Sequence, residues 1–380
     1  MEILFLAHRV PFPPDRGDRI RSYNILNYLS KRAKVHLAAF VDDDREISDG
    51  DRALVQECVL VPRTKSQPRA AVEALARGRP ISLTAFADRR MAAAVDDLLS
   101  RCPVSAIYTY SGQMAQYLPE DGPFAIMDFV DRDSAKFAAY ADAARGPMRW
   151  LMRREARLLG AYEQMVHDRV GASLFVSAPE AALLPGSKVL ENGIDTAFYD
   201  PAAVAPVQAP HPLLVFTGQM DYRPNVDAVT WFARSVLPLL PDVRFAIVGR
   251  APTAAVRSLA GERVTVTGEV ADVRGWLGAA DVVVAPLQLA RGVQNKVLEA
   301  MAMARPVVAS TAAAEGIDHQ GTIRIADDAR DCAVTIRALL ADPSAAAALG
   351  EGARLQVVAR YGWDARLAPL GDLLALGAAV

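Results

Sequence analysis

The run from Ala290 to Ser310 reads ARGVQNKVLEAMAMARPVVAS. It follows a β-branched run at Asp281–Ala285, opens with Gly292, and turns into an Ala-, Met- and Leu-rich stretch of helical period before Pro306 begins another strand-like run. The N–H groups of a first helical turn lack partners within the helix and attract an anion. Such a dipole contact is worth about 0.3–1 kcal/mol when exposed and up to about 2 when partly buried. Lys296 and Glu299 are three apart, so a helix presents them on one face. A cation beside a carboxylate suits a diphosphate and a ribose diol. An ordinary surface ion pair on an amphipathic helix fits the same spacing.

Two segments in the first half also place chemistry at strand ends. After Glu2–Ala7 come His8, Arg9 and the loop to Gly17, Asp18 and Arg19. Gly17 lets the backbone approach a ligand closely, and Asp18 can cap the following helix; a plain loop and cap is the alternative. After Phe124–Asp128 the acids Asp128, Asp131 and Asp133 lie within a few residues. Carboxylates there could take a hydroxyl proton or bind a polar sugar atom, or Asp131 or Asp133 could cap a helix. No ligand spacing for zinc or magnesium is present, and neither a metal nor another cofactor is expected.

These residues need a scaffold that gathers strand ends. Short β-branched runs alternate with helical segments, which predicts α/β architecture with parallel sheets. The first-half strands are expected at Glu2–Ala7, Val35–Val41, Cys58–Val61, Ala106–Tyr110, Phe124–Asp128 and Ala172–Val176. The second-half strands are expected at Leu213–Thr217, Arg244–Val248, Val264–Thr267, Asp281–Ala285 and Pro306–Ala309. The Pro-rich stretch between the two sets reads as a linker. The expected division is residues 1–195, a linker at 196–212, residues 213–362, and a terminal helical segment at 363–380 that could cross back to the first domain. Two doubly wound domains of this kind are expected to bind ligands across a cleft at their strand ends.

At 380 residues with 52% apolar and 23% charged residues, the chain is of globular composition and long enough for two cores. A formal charge of −2 gives no general pull toward nucleic acid, and none is expected as a partner. The three cysteines, Cys58, Cys102 and Cys332, are far apart and form no disulfide framework or zinc motif, which fits a cytoplasmic setting. No secretory signal or apolar run of membrane-spanning length is evident. The segment from Arg145 to Leu159 is basic with interspersed Met, Leu and Trp. Such a helix can lie on an anionic membrane, giving peripheral contact at the inner face, or can pack its apolar face on the core.

The Ala290–Ser310 segment resembles the donor-site signature of family 4 glycosyltransferases, where a Gly-rich turn, a Lys and the Glu of an "LEAMA" run precede a "PVV" strand. Leu214–Asn225, with Gly218, resembles the opening strand and Gly loop of that family's donor domain. Gly268-Glu269-Val270 resembles the loop that cups the base, and Asn192-Gly193-Ile194-Asp195 resembles the crossing between domains. Singly, each glycine could serve only a turn.

The resemblance implies a GT-B fold of two Rossmann-like domains and a nucleotide-sugar donor. Its donor site would comprise Gly218, Gly268, Val270, Arg291, Gly292, Val293 and Gln294, with Glu299 on the ribose and Lys296 on the phosphates. Arg223 lies near the family's basic phosphate contact. The acceptor side would carry His8, Gly17, Arg19 and Asp128, with Asp131 as a further catalytic candidate. The family's other Glu, eight residues before Glu299, is replaced here by Arg291, which could meet a phosphate or an acidic sugar.

The resemblance also implies retaining transfer to a glycan or lipid-linked acceptor, with the leaving phosphate taking the acceptor's proton. The segments "DFVDRDSAK" and "MDYRPNVDAVTWF" are similar to those of bacterial sugar transferases associated with PEP-CTERM sorting and exopolysaccharide clusters. A sugar-nucleotide 2-epimerase and a catalytically silent sugar-nucleotide-binding partner are the competing readings. A dinucleotide oxidoreductase is excluded by His8–Pro13, which stands where its Gly-rich fingerprint would be.

Overall fold

The structure is a computed structural model that describes residues 1–14, 17–42, 47–290 and 293–376, with the backbone alone at residue 143. The chain divides into two compact units, Met1–Asn192 with Arg366–Val380, and Gly193–Ala365.

Among the described residues the first unit contains a seven-stranded parallel sheet in the order β3-β2-β1-β4-β5-β6-β7. Its strands are β1 (Glu2–Ala7), β2 (Lys34–Val41), β3 (Glu57–Pro62), β4 (Ala106–Tyr110), β5 (Phe124–Val130), β6 (Ala172–Phe175) and β7 (Lys188–Val189). Ile3 to Ala7 are fully buried, because a central parallel strand is covered by helices on both faces. The segment from Arg366 belongs to this unit: Leu367 and Leu370 of the helix Trp363–Leu373 are buried and Arg366 pairs with Glu191.

The second unit contains β8 (Leu213–Thr217), β9 (Arg244–Val248), β10 (Val264–Gly268), β11 (Val282–Ala285), β12 (Val307–Ala309) and β13 (Arg324–Ile325), in the parallel order β10-β9-β8-β11-β12-β13. In both sheets the winding reverses once, between β1 and β4 and between β8 and β11. Ligands of open α/β sheets bind beyond the carboxyl ends of the strands at that reversal. The two-residue edge strands β7 and β13 are too short to carry a period, and sequence patterning does not find them.

The stretch 196–212, expected as a linker, is strapped to the second unit. Tyr199, Val204, Val207 and Ala209 pack against its core, and Val207 N–H donates to Gly275 O at 3.0 Å. The interleaved prolines keep this chain extended while its apolar residues find the core. Among the described residues no single helix is long and apolar enough to cross a membrane. The helices Ala329–Ala341 and Pro343–Tyr361 pass that test only as a pair bent by 104°, and Cys332, Ile336, Ala353 and Val357 of that pair lie in the core.

Candidate functional site

The helix Asn295–Ala302 buries Val297, Leu298, Ala300, Met301 and Ala302, which leaves Lys296 and Glu299 on its remaining face. Both line a cavity of about 540 Å³ within the second unit. The walls come from the residues after β8 (Gly218, Gln219, Asn225), β9 (Gly249, Arg250) and β10 (Glu269, Val270), and from Val293 and Gln294 before the helix. The cavity therefore sits at the winding reversal of this sheet. Gln294 occupies the N-cap position but makes no side-chain cap, so the helix start retains its pull on an anion.

Lys296 Nζ donates to Asn225 Oδ1 and lies 4.5 Å from the centre of the Phe216 ring. Burial pushes its ammonium pKa down to about 8, with Glu299 pulling upward. The Glu299 carboxyl is raised above its ordinary value by burial, and this is opposed by a hydrogen bond from Tyr199 and by Lys296. Burial and the neighbouring Glu299 raise the Tyr199 phenol in turn. Asn225 is itself held by Nδ2 donating to Gln219 O at 2.9 Å. The buried Thr217 Oγ1 at the cavity wall has no hydrogen-bond partner.

Two glycines make this packing possible. A Cβ on Gly218 would lie 2.7 Å from Asn225 Nδ2 and 3.3 Å from Lys296 Nζ. On Gly249, with φ +151°, a Cβ would lie 1.7 Å from Gly218 O. The cavity thus combines a half-buried ammonium, a helix start without a side-chain cap and a half-buried carboxylate held by a phenol. An anion with an attached diol matches these groups.

Of the expected donor residues, the structure gathers Gly218, Val270, Val293, Gln294, Lys296 and Glu299 around this one cavity. Arg291 and Gly292 lie outside the described residues. Gly268 terminates β10 with φ +71° and accepts from Gly249 N–H at 3.2 Å, which supports the wall without lining it. Arg223 does not line the cavity. It starts the helix Arg223–Trp231, its side chain is 90% exposed, and it faces Asp227 at 3.4 Å. Among the described residues the arginine that lines the cavity is Arg250, whose Nη2 donates to Gln219 Oε1 at 2.8 Å. Sequence reasoning missed Arg250, Asn225 and Tyr199. The only signal for Arg250 is its place directly after the strand and Gly249.

In the first unit, His8 stands at the reversal between β1 and β4, with Nδ1 3.4 Å from Ser111 Oγ and Nε2 3.6 Å from Asp18 Oδ2. Hydrogen bonding from His8 and Arg9 holds the Asp18 carboxyl well below its ordinary value, against the opposing effect of burial. Gly17 is exposed at the start of the helix Gly17–Ser30. Arg19 and Asp128 are not offered to an acceptor: Arg19 is 2% exposed and Asp128 fully buried. Arg21 Nε and Nη2 donate to the two Asp128 oxygens at 3.0 and 3.2 Å, and Tyr108 donates at 2.6 Å. Desolvation makes a charge that close to the core dependent on such partners. Asp131 faces Lys136 at 2.8 Å, and the cap of the helix Asp133–Ala143 is Arg132, so neither Asp131 nor Asp133 caps it.

Among the described residues, Glu2, His36 and Cys102 bring donor atoms near one another. Glu2 meets His36 Nε2 at 2.9 Å and Cys102 meets Nδ1 at 3.8 Å. The two ring nitrogens point in different directions, so one ion cannot take the place of both contacts.

With this geometry in hand, the fold class is two-domain α/β GT-B. Residues 211–342 match the family model described as glycosyl transferases group 1. No curated protein matches the sequence. Among solved structures, the chain is similar to sucrose-phosphate synthase from Thermosynechococcus elongatus, at 18% identity and TM-score 0.59 over 98% of each chain. It is also similar to Anabaena HepE in complex with UDP, at 16% identity and TM-score 0.59 over 99% of this chain and 100% of that one. A glycosyltransferase from Rickettsia africae ESF-5 has 14% identity and TM-score 0.60 over 98% of each chain. The group 1 match supports a transferase enzyme, and the solved neighbours share the fold.

Proposed function

We propose that the protein is a glycosyltransferase that binds a nucleoside-diphosphate sugar in the second-unit cavity and passes the sugar, with retention, to a glycan or lipid-linked acceptor. The observation that carries this reading is the convergence of Lys296 and Glu299 on one cavity at the sheet reversal. Lys296, with Arg250 and the helix start, would neutralise charge that grows on the departing diphosphate, while Glu299, oriented by Tyr199, accepts from the ribose hydroxyls. Protein cations rather than a metal supply that stabilisation. The leaving phosphate takes the acceptor's proton as the new glycosidic bond forms. HepE is described in complexes with UDP and with UDP-glucose, which makes a uridine diphosphate sugar the first donor to test.

In the first unit, His8 with Asp18, and Asp131 with Lys136, are among the polar groups that could meet an acceptor. The setting proposed is cytoplasmic exopolysaccharide assembly, for which the sequence resemblance is the support. The test is transfer from a donor panel to lipid-linked glycans, with the product anomer read by NMR. Acceptor-dependent release of nucleoside diphosphate with retained configuration is expected. Donor conversion to an epimer without acceptor would replace this reading, and an inverted product would remove retention.

A further inference from the structure

The last four carbonyls of the helix Asn295–Ala302 have no partner within it. The turn that follows takes three of them: Met303 N–H donates to Glu299 O, Arg305 N–H to Ala300 O and Ala304 N–H to Met301 O, each at 3.0 Å. The fourth, Ala302 O, accepts from Arg354 Nη1. A cation at that end also meets the negative pole of the helix dipole. The same Nη1 donates to Tyr199 O at 2.8 Å, and Nη2 lies 3.5 Å from Asp200 Oδ2. One guanidinium therefore ties the strap at Tyr199 to the end of the helix that presents Lys296 and Glu299.

Arg354 reaches this point because its helix packs closely. It lies on Pro343–Tyr361, one turn beyond Gly350, and a Cβ on Gly350 would lie 2.2 Å from Ala304 O. The missing side chain lets that helix rest on the backbone of the turn after Ala302, with Arg354 on the same face. The strap has a second fastening one residue earlier. Arg274 Nη1 donates to Phe198 O at 2.8 Å, and its guanidinium lies 3.8 Å from the centre of the Phe198 ring. The Tyr199 backbone is thus held from outside the cavity while its phenol meets Glu299 inside it. Arg354 itself does not line that cavity.

We propose that Arg354 is a positioning residue for ribose recognition: by fixing the Tyr199 backbone against the end of the helix Asn295–Ala302, it sets the geometry in which the Tyr199 phenol orients Glu299 towards the ribose hydroxyls. The proposal rests on the reading that Glu299 takes those hydroxyls. Ala302 O is one helical turn from Glu299, and Tyr199 O belongs to the residue whose phenol Glu299 accepts from, so the guanidinium bridges both sides of that hydrogen bond. Without it the two carbonyls lose their common donor, and the strap is free to shift against the helix.

The experiment is titration calorimetry of the full chain with UDP, GDP and ADP, each against its 2′,3′-dideoxy analogue, for wild type, Arg354→Met, Arg354→Lys, Tyr199→Phe and Glu299→Ala. Met keeps much of the arginine's aliphatic stem without its donors, and circular dichroism confirms folding. For at least one base the wild type should prefer the ribonucleotide about tenfold or more, as expected for hydrogen bonds to a charged group, and Glu299→Ala should abolish the preference. Arg354→Met should lower it at least about threefold, by weakening the ribonucleotide while the dideoxy analogue binds as before. Arg354→Lys, whose ammonium can still serve both carbonyls, should retain most of it. Arg354→Met combined with Tyr199→Phe should lose no more than Tyr199→Phe alone, because both act through one phenol. A merely structural role would weaken both members of a pair alike, and that result overturns the proposal. So does an unchanged preference in folded Arg354→Met, or additive loss in the double variant. Should Arg354→Met not fold, Arg354→Gln, which keeps a single amide donor group, is read by the same criteria. A preference absent from the wild type, or one that survives in Glu299→Ala, removes Glu299 from the ribose and overturns both readings, whereas the other failures leave Glu299 in place.

Discussion

Burial makes the Lys296 ammonium easier to deprotonate, with a pKa near about 8, whereas a bound diphosphate would favour its charged form. Below that pH the charge is present before the donor arrives and affinity should be flat. As pH rises through about 8, binding has to take up a proton, and affinity should fall about tenfold per pH unit. Titration calorimetry with UDP across this range checks the slope, and Lys296→Arg should flatten it. Lys296→Ala should reduce turnover about 10²–10³-fold, the usual loss on removing one preorganised charge-stabilising donor. The two arginines give a sharper comparison: Arg250→Ala should weaken nucleotide binding, while Arg223→Ala should leave it unchanged, since only Arg250 lines the cavity. Equal effects would place the phosphates elsewhere.

At the level of elements, the turns after β8 and β9 meet through glycine backbones. Gly249→Ala would put a methyl group 1.7 Å from Gly218 O, and the displacement should cost about 1–3 kcal/mol in addition to deforming the cavity. Gly261, with nothing within 4 Å of a built Cβ, is the control, and its alanine variant should change stability by less than about 0.5 kcal/mol. Thermal melts with and without UDP read both effects. The common direction of Lys296 and Glu299 was legible from their three-residue spacing, which an ordinary surface ion pair fits as well; their assignment to a donor came from the resemblance carried by Ala290–Ser310. Tyr199, Asn225 and Arg250 were not legible, because they reach the cavity from a strap, from the first turn of the helix Arg223–Trp231 and from the turn after β9, which only the β9-β8-β11 order brings together. Central strands were legible from their β-branched runs, whereas the edge strands β7 and β13 had no length in which a pattern could show.

Across the whole molecule the two units carry different burdens. Every lining residue of the second-unit cavity falls within Gly193–Ala365. The buried Arg21–Asp128 pair belongs to the first unit, and breaking it by Asp128→Ala strands a guanidinium that is 1% exposed, at a cost of about 3–5 kcal/mol. This variant should melt at lower temperature yet bind nucleotide with wild-type affinity while folded. The two-domain class could be read from alternating strand and helix patterns, but the attachment of 196–212 to the second unit could not, since Pro-rich composition looks the same in a free linker and in a strap. The most direct single measurement is a thermal-shift titration of the intact protein with UDP, GDP, ADP and TDP and their sugar conjugates, with Glu299→Ala and Lys296→Ala alongside. Selective stabilisation by one nucleotide series, lost in both variants, is the expected result; stabilisation that persists unchanged in both variants would contradict a donor site at Lys296 and Glu299.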